Sequence, residues 1–143
     1  MSAPAAMSGG CLCGAIRFTA KPVKMEMDAC HCSFCRRWTS GPFLSVRCGT
    51  SVAVADKAHL RFYRSSEWAE RGFCGQCGTA LFYRLSESGE TAVAAGAFDD
   101  AERFAFTEEI FVDEKPANYT FANATHKMTG AEVFAAYQAK QGE

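Results

Sequence analysis

Seven of the eight cysteines fall into three tight groups: Cys11-Leu12-Cys13, Cys30-His31-Cys32-Ser33-Phe34-Cys35 and Cys74-Gly75-Gln76-Cys77. Thiols two or three residues apart are poorly placed for a strain-free disulfide, which needs well-separated and correctly aimed Cβ atoms. The same spacing suits a shared metal ion, with thiolates about 2.3 Å from a tetrahedral zinc. A pair joined to a pair makes a closed four-sulfur site across a long sequence gap. The triplet supplies three sulfurs and an open position.

Size and composition narrow the rest. The 143 residues suit one domain with a substantial core, expected over 10–143 after a short disordered lead at 1–9. Hydrophobic content of 48% and charged content of 22% are those of a soluble globular chain. A net charge of -1 provides no broad basic surface, so nucleic acid is not an expected partner. No apolar run reaches the roughly 18 residues of a membrane span. The first ten residues have neither the basic start nor the apolar stretch of a secretory signal. The cytoplasm is therefore the expected compartment, where clustered cysteines mean metal or catalysis.

The patterning is mainly β. Strands are expected at 15–19, 23–27, 43–47, 52–55, 60–63, 80–84, 91–95 and 110–112. Turn-forming residues separate them, including Gly41-Pro42, Gly49-Thr50-Ser51 and Ser88-Gly89-Glu90. A capping box, Thr129-Gly130-Ala131-Glu132, opens a short C-terminal helix in which Val133, Phe134 and Tyr137 follow at helical spacing. A second turn of helix is expected at 35–38. The expected class is thus mainly β, with many short strands tied together by metal and a short C-terminal helix.

The two metal-ligand patterns differ in chemistry. Cys74-Gly75-Gln76-Cys77-Gly78 is a zinc-knuckle sequence whose glycines allow a tight turn with amides aimed at the sulfurs. With Cys11 and Cys13 it forms a fully thiolate-coordinated site that has no room for substrate, and so a structural one. Cys30, Cys32 and Cys35 leave a fourth position for water or for an incoming thiolate, whose pKa falls on binding. The alternative is that Cys48, His59 or His126 closes this site as a second structural one.

Other side chains near these motifs admit two readings each. Arg36 and Arg37 suit the carboxylates of an anionic thiol such as glutathione, or they offset the thiolates as surface charges. His31 should point away from the metal, as a supporting or an exposed residue. His59 and His126 read as surface residues, and Cys48 as a small buried hydrophobe. Trp38, Phe43, Phe73, Phe82, Phe98 and Phe111 read as core. Asp99-Asp100 and Asp113-Glu114 read as loop or strand-end charges.

Taken together, Gly10-Cys11-Leu12-Cys13-Gly14, Cys30-His31-Cys32-Ser33-Phe34-Cys35-Arg36-Arg37 and Phe73-Cys74-Gly75-Gln76-Cys77-Gly78 resemble the glutathione-dependent formaldehyde-activating enzymes and the related centromere protein V domain. Gly96-Ala97-Phe98-Asp99 and Phe111-Val112-Asp113-Glu114-Lys115-Pro116 also look like that family's. The resemblance implies a fold of antiparallel sheets stapled by zinc, with a structural zinc on Cys11, Cys13, Cys74 and Cys77, and a catalytic, more labile zinc on Cys30, Cys32 and Cys35. It implies carbon–sulfur lyase chemistry, the addition of glutathione to formaldehyde to give S-(hydroxymethyl)glutathione and its reverse. Asn118 departs from the pattern, since many members place a tryptophan there. A non-enzymatic, zinc-stabilised binding module is the alternative function.

Overall fold

Arg17-Phe18-Thr19-Ala20 alternates polar and apolar residues, and its even positions are buried. This is strand β2 (Arg17–Ala20), paired antiparallel with β1 (Met7–Gly10) and β5 (Ala53–Val54). The computed structural model describes residues 5–141, which gather into two compact units. One unit takes the chain up to Met27 together with Ser45–Ala105, and the other takes Asp28–Leu44 and the chain from Phe106 onward.

In the first unit, β1, β2 and β5 form the small sheet. A second antiparallel run follows the order β4 (Phe43–Arg47), β9 (Thr91–Ala94), β8 (Ala80–Leu85), β7 (Ala69–Cys74), β6 (Leu60–Arg64). Phe18 stands at the centre of an aromatic core, with ring centroids 5.5 Å from Phe82 and 5.3 Å from Phe98 in edge-to-face contact. Ile16, Leu81, Val46 and Val93 are wholly buried around it. Strand β1 takes in Met7, Ser8 and Gly9, which the sequence assigned to a disordered lead; residues 1–4 of that lead lie outside the described residues. A side chain at Gly9 would collide with the Ala97 carbonyl and the Phe18 ring, so only glycine lets this strand approach.

In the second unit the strand order is β11 (His126–Met128), β10 (Ala105–Ile110), β3 (Glu26–Cys30). The β10–β11 pairing is parallel. Helix α1 (Ser33–Thr39) follows β3, and helix α2 (Gly130–Gln141) ends the described chain. Two expected strands are displaced. The segment at 23–27 becomes β3 at 26–30, because Asp28, Ala29 and Cys30 are buried in succession and hide the period of two. The segment at 110–112 ends a strand, since Phe111 takes a left-handed φ of 56° that β structure cannot hold. Strand β7 escaped the hydrophobic pattern because it carries Glu70 and Arg71; Arg71 is buried by stacking on Tyr83 and donating to Ser65 Oγ. No helix among the described residues is long and apolar enough to cross a membrane.

Candidate metal centres

The loop after β1 and the turn after β7 bring Cys11, Cys13, Cys74 and Cys77 together, with all four Sγ atoms within 4.8 Å of one another. Cys13 Sγ lies 3.7 Å from Cys11 Sγ and 3.8 Å from Cys74 Sγ. A tetrahedron of thiolates at zinc–sulfur distances of about 2.3 Å has edges of about 3.8 Å, so this donor set fits one ion. The surroundings suit ionised sulfur. Ile16 N donates to Cys11 Sγ at 3.2 Å, and the Gln76 and Cys77 amides donate to Cys74 Sγ at 3.4 Å. Gln76 Nε2 donates to Cys13 Sγ at 3.3 Å. Thr79 Oγ1 accepts from Leu12 N at 3.0 Å and stands 3.1 Å from Cys77 Sγ, which leaves its hydroxyl proton for that sulfur. The Thr79 hydroxyl and amide hold the Cys77 thiol down at about 5.

The second centre is built by the junction of β3 and α1. Cys30 ends the strand, Cys32 caps the helix with its Sγ accepting from Cys35 N at 3.3 Å, and Cys35 lies in the first helical turn. The three sulfurs lie within 4.8 Å of one another, with Cys30 and Cys35 buried and Cys32 half-buried. As a free thiol Cys30 resists ionisation, raised by hydrogen bonding to Cys32 and Cys35 and then by burial. A cation that displaces the protons reverses this balance, as thiolate metal sites require. Among the described residues no fourth histidine, cysteine or carboxylate joins this group. Cys48 is a buried thiol pushed up to about 12 by burial, and it belongs to neither cluster. His59 and His126 are exposed and also stand outside both.

The remaining expected residues divide. Arg36 is half-buried and anchored, its Nε donating to the His31 carbonyl at 3.0 Å, whereas Arg37 is exposed. Asn118 is exposed. Of the two readings of His31, the exposed one is overturned. The imidazole is wholly buried, with Nε2 2.8 Å from Glu109 Oε1 and Nδ1 2.7 Å from Tyr119 Oη. Glu109, Tyr119 and Thr79 carried no sequence signal. Glu109 and Tyr119 act through His31, 78 and 88 positions away, and Thr79 joins Cys77 to the amide of Leu12, 67 positions away.

The sequence pattern of the glutathione-dependent formaldehyde-activating enzyme family matches residues 6–114. An uncharacterized lyase of Schizosaccharomyces pombe is 36% identical over 126 residues, spanning 87% of this chain and 92% of that protein. A putative glutathione-dependent formaldehyde-activating enzyme of Halomonas elongata is 28% identical over 85 residues, 53% of this chain and 54% of that one. The crystal structure of a Rhodobacter sphaeroides protein matches with a TM-score of 0.58 at 23% identity, covering 71% of this chain and 100% of that one. That likeness concerns the fold.

Proposed function

The chain belongs to the glutathione-dependent formaldehyde-activating enzyme family, and on that basis we propose that it is a zinc-dependent carbon–sulfur lyase. Its substrate is a thiol such as glutathione, joined to formaldehyde or a related aldehyde. The observation that carries this reading is the division of seven cysteines into a closed set of four and an open set of three. Cys11, Cys13, Cys74 and Cys77 hold the structural zinc, whose binding is worth about 10–16 kcal/mol and keeps the domain folded. Cys30, Cys32 and Cys35 hold the catalytic one. Zinc there supplies the positive charge that keeps an added thiol ionised at neutral pH.

The reaction balances without a redox partner. The thiolate sulfur attacks the carbonyl carbon, the S–C bond forms, and the π pair moves to oxygen. The proton given up by the thiol ends on that oxygen, and cleavage runs the same steps backwards. Arg36 is suited to hold a substrate carboxylate. Its Nε is fixed on the His31 carbonyl, and no described residue accepts from its two terminal nitrogens, which form the outer tines of a bidentate fork. Arg37 adds charge on the exposed side. The reducing cytoplasm is the compartment in which these free thiols and glutathione persist together.

Cobalt(II) substitution tests this reading. Two ions per chain are expected, with glutathione strengthening the thiolate-to-metal absorption of one of them. Cys32→Ser should remove that response. A single ion per chain, or a glutathione response retained by the variant, contradicts it.

A further inference from the structure

Cysteines drawn from the single run Cys30–Cys35 have only that run to set where their sulfurs point. Here the run is held at almost every residue. His31, wholly buried between Cys30 and Cys32, has each of its polar groups engaged. Its amide donates to the Ile110 carbonyl at 3.0 Å, and its carbonyl accepts from Arg36 Nε at 3.0 Å. Its ring nitrogens lie 2.8 Å from Glu109 Oε1 and 2.7 Å from Tyr119 Oη. Glu109 is itself only 1% exposed. Its second oxygen accepts from Thr125 Oγ1 at 2.5 Å and lies 3.7 Å from Lys127 Nζ. An imidazole anchored this way cannot turn without leaving buried polar groups unpaired.

On the far side of Cys32 the hold comes from the same strand end. Strand β10 stops at Ile110, and Phe111 turns out of it with a left-handed φ of 56°. A bulky residue keeps that conformation only where its surroundings enforce it. The short turn that follows, Val112–Glu114, brings Glu114 Oε1 to the Ser33 amide, which donates to it at 2.9 Å. Ser33 opens α1, and its amide has no acceptor within the helix. Inside the run, Arg36 N donates to the Cys32 carbonyl and Thr39 Oγ1 to the Cys35 carbonyl, both at 3.0 Å. Neither these contacts nor those of His31 and Ser33 use a cysteine sulfur.

We infer that the end of β10 clasps the Cys30–Cys35 segment into a preformed three-sulfur face, with Glu109 and Glu114 as positioning residues for the metal. Glu109 acts through the His31 ring and Glu114 through the Ser33 amide, so the residues on both sides of Cys32 are fixed before an ion arrives. The inference rests on the metal reading of this centre given above. A preformed face takes up an ion without the cost of ordering its loop. It also keeps the three sulfurs to one side, which leaves the remaining position to an added thiol.

Cobalt(II) titration of the whole chain against a competing chelator reads the two centres separately, and the four-cysteine centre reports whether a variant is folded. Glu109→Leu keeps the bulk but offers no acceptor. It should weaken binding of the second ion by roughly 10–100-fold and leave the first unmoved, while Glu109→Gln, which keeps an oxygen for His31, should restore most of the affinity. Glu114→Ala, at an exposed residue, should cost the second ion about tenfold, and Glu114→Gln should recover it. A second-ion affinity equal to wild type in either Glu109→Leu or Glu114→Ala, or an equal loss at both centres, overturns the assignment. Amide hydrogen exchange of the wild type needs no variant. With one equivalent of zinc bound, the His31 and Ser33 amides should be as protected as with two, and protection that arrives only with the second equivalent overturns the clasp. A wild type that takes a single ion defeats the metal reading and the clasp with it, whereas two ions with unmoved variants defeat the clasp alone.

Discussion

Thr79 takes the Leu12 amide on its oxygen and turns its hydroxyl proton to Cys77 Sγ, so one side chain ties the loop of the first cysteine pair to the second. A donor to a ligating sulfur spreads the thiolate's charge and fixes its direction, and such partners govern metal affinity by roughly 10–100-fold. Thr79→Val removes the donor while keeping the shape. Its zinc retention in competition with a chelator should fall about tenfold, whereas Thr79→Ser should retain the wild-type value. Equal retention by valine would show that the hydroxyl contributes nothing to the centre. The arginines illustrate the same dependence on surroundings. Arg36 and Arg37 look alike in sequence, but only Arg36 is braced, through the His31 carbonyl.

At the scale of elements, α2 is held more by its first turn than by its apolar face. Thr129 N donates to Glu132 Oε1 at 2.8 Å, and Glu132 N donates to Thr129 Oγ1 at 3.2 Å, the reciprocal pair of a capping box. Gly130 N also donates to Asp113 Oδ1, and Phe111 meets Phe134 edge-on at 5.9 Å. Phe134 and Tyr137 remain substantially exposed, contrary to a fully buried helix face. Thr129→Ala should therefore cost about 1 kcal/mol of local helix stability, measured by amide hydrogen exchange in α2. The Glu132 carboxyl is held below its usual range by hydrogen bonds from the Thr129 amide and hydroxyl. A lowered carboxylate pKa adds stability that is full above the unfolded value and is lost as the pH falls through the folded one. Protection of α2 should thus drop between about pH 6 and about pH 3 in wild type and stay flat in Glu132→Ala. Parallel pH profiles for the two proteins would remove the cap from this account.

For the whole molecule, what was legible in the sequence is what local spacing encodes. The cysteine groups, the capping box and strands such as 43–47 and 80–84 are stated by residues a few positions apart, and each stands where expected. The rest depends on partners met only in the fold. Strand β10 reads as polar because Glu109 is buried against His31, and His31 reads as peripheral because its two partners lie 78 and 88 positions away. Strand β1 reads as a loose lead because its glycine matters only once Phe18 packs against it. The central claim concerns the open centre. Exchange NMR of formaldehyde with glutathione, run on zinc-loaded wild type and on folded Cys32→Ala, tests it most directly. The account predicts that wild type accelerates interconversion with S-(hydroxymethyl)glutathione and that Cys32→Ala returns it to the uncatalysed rate; equal rates in the two proteins would contradict it.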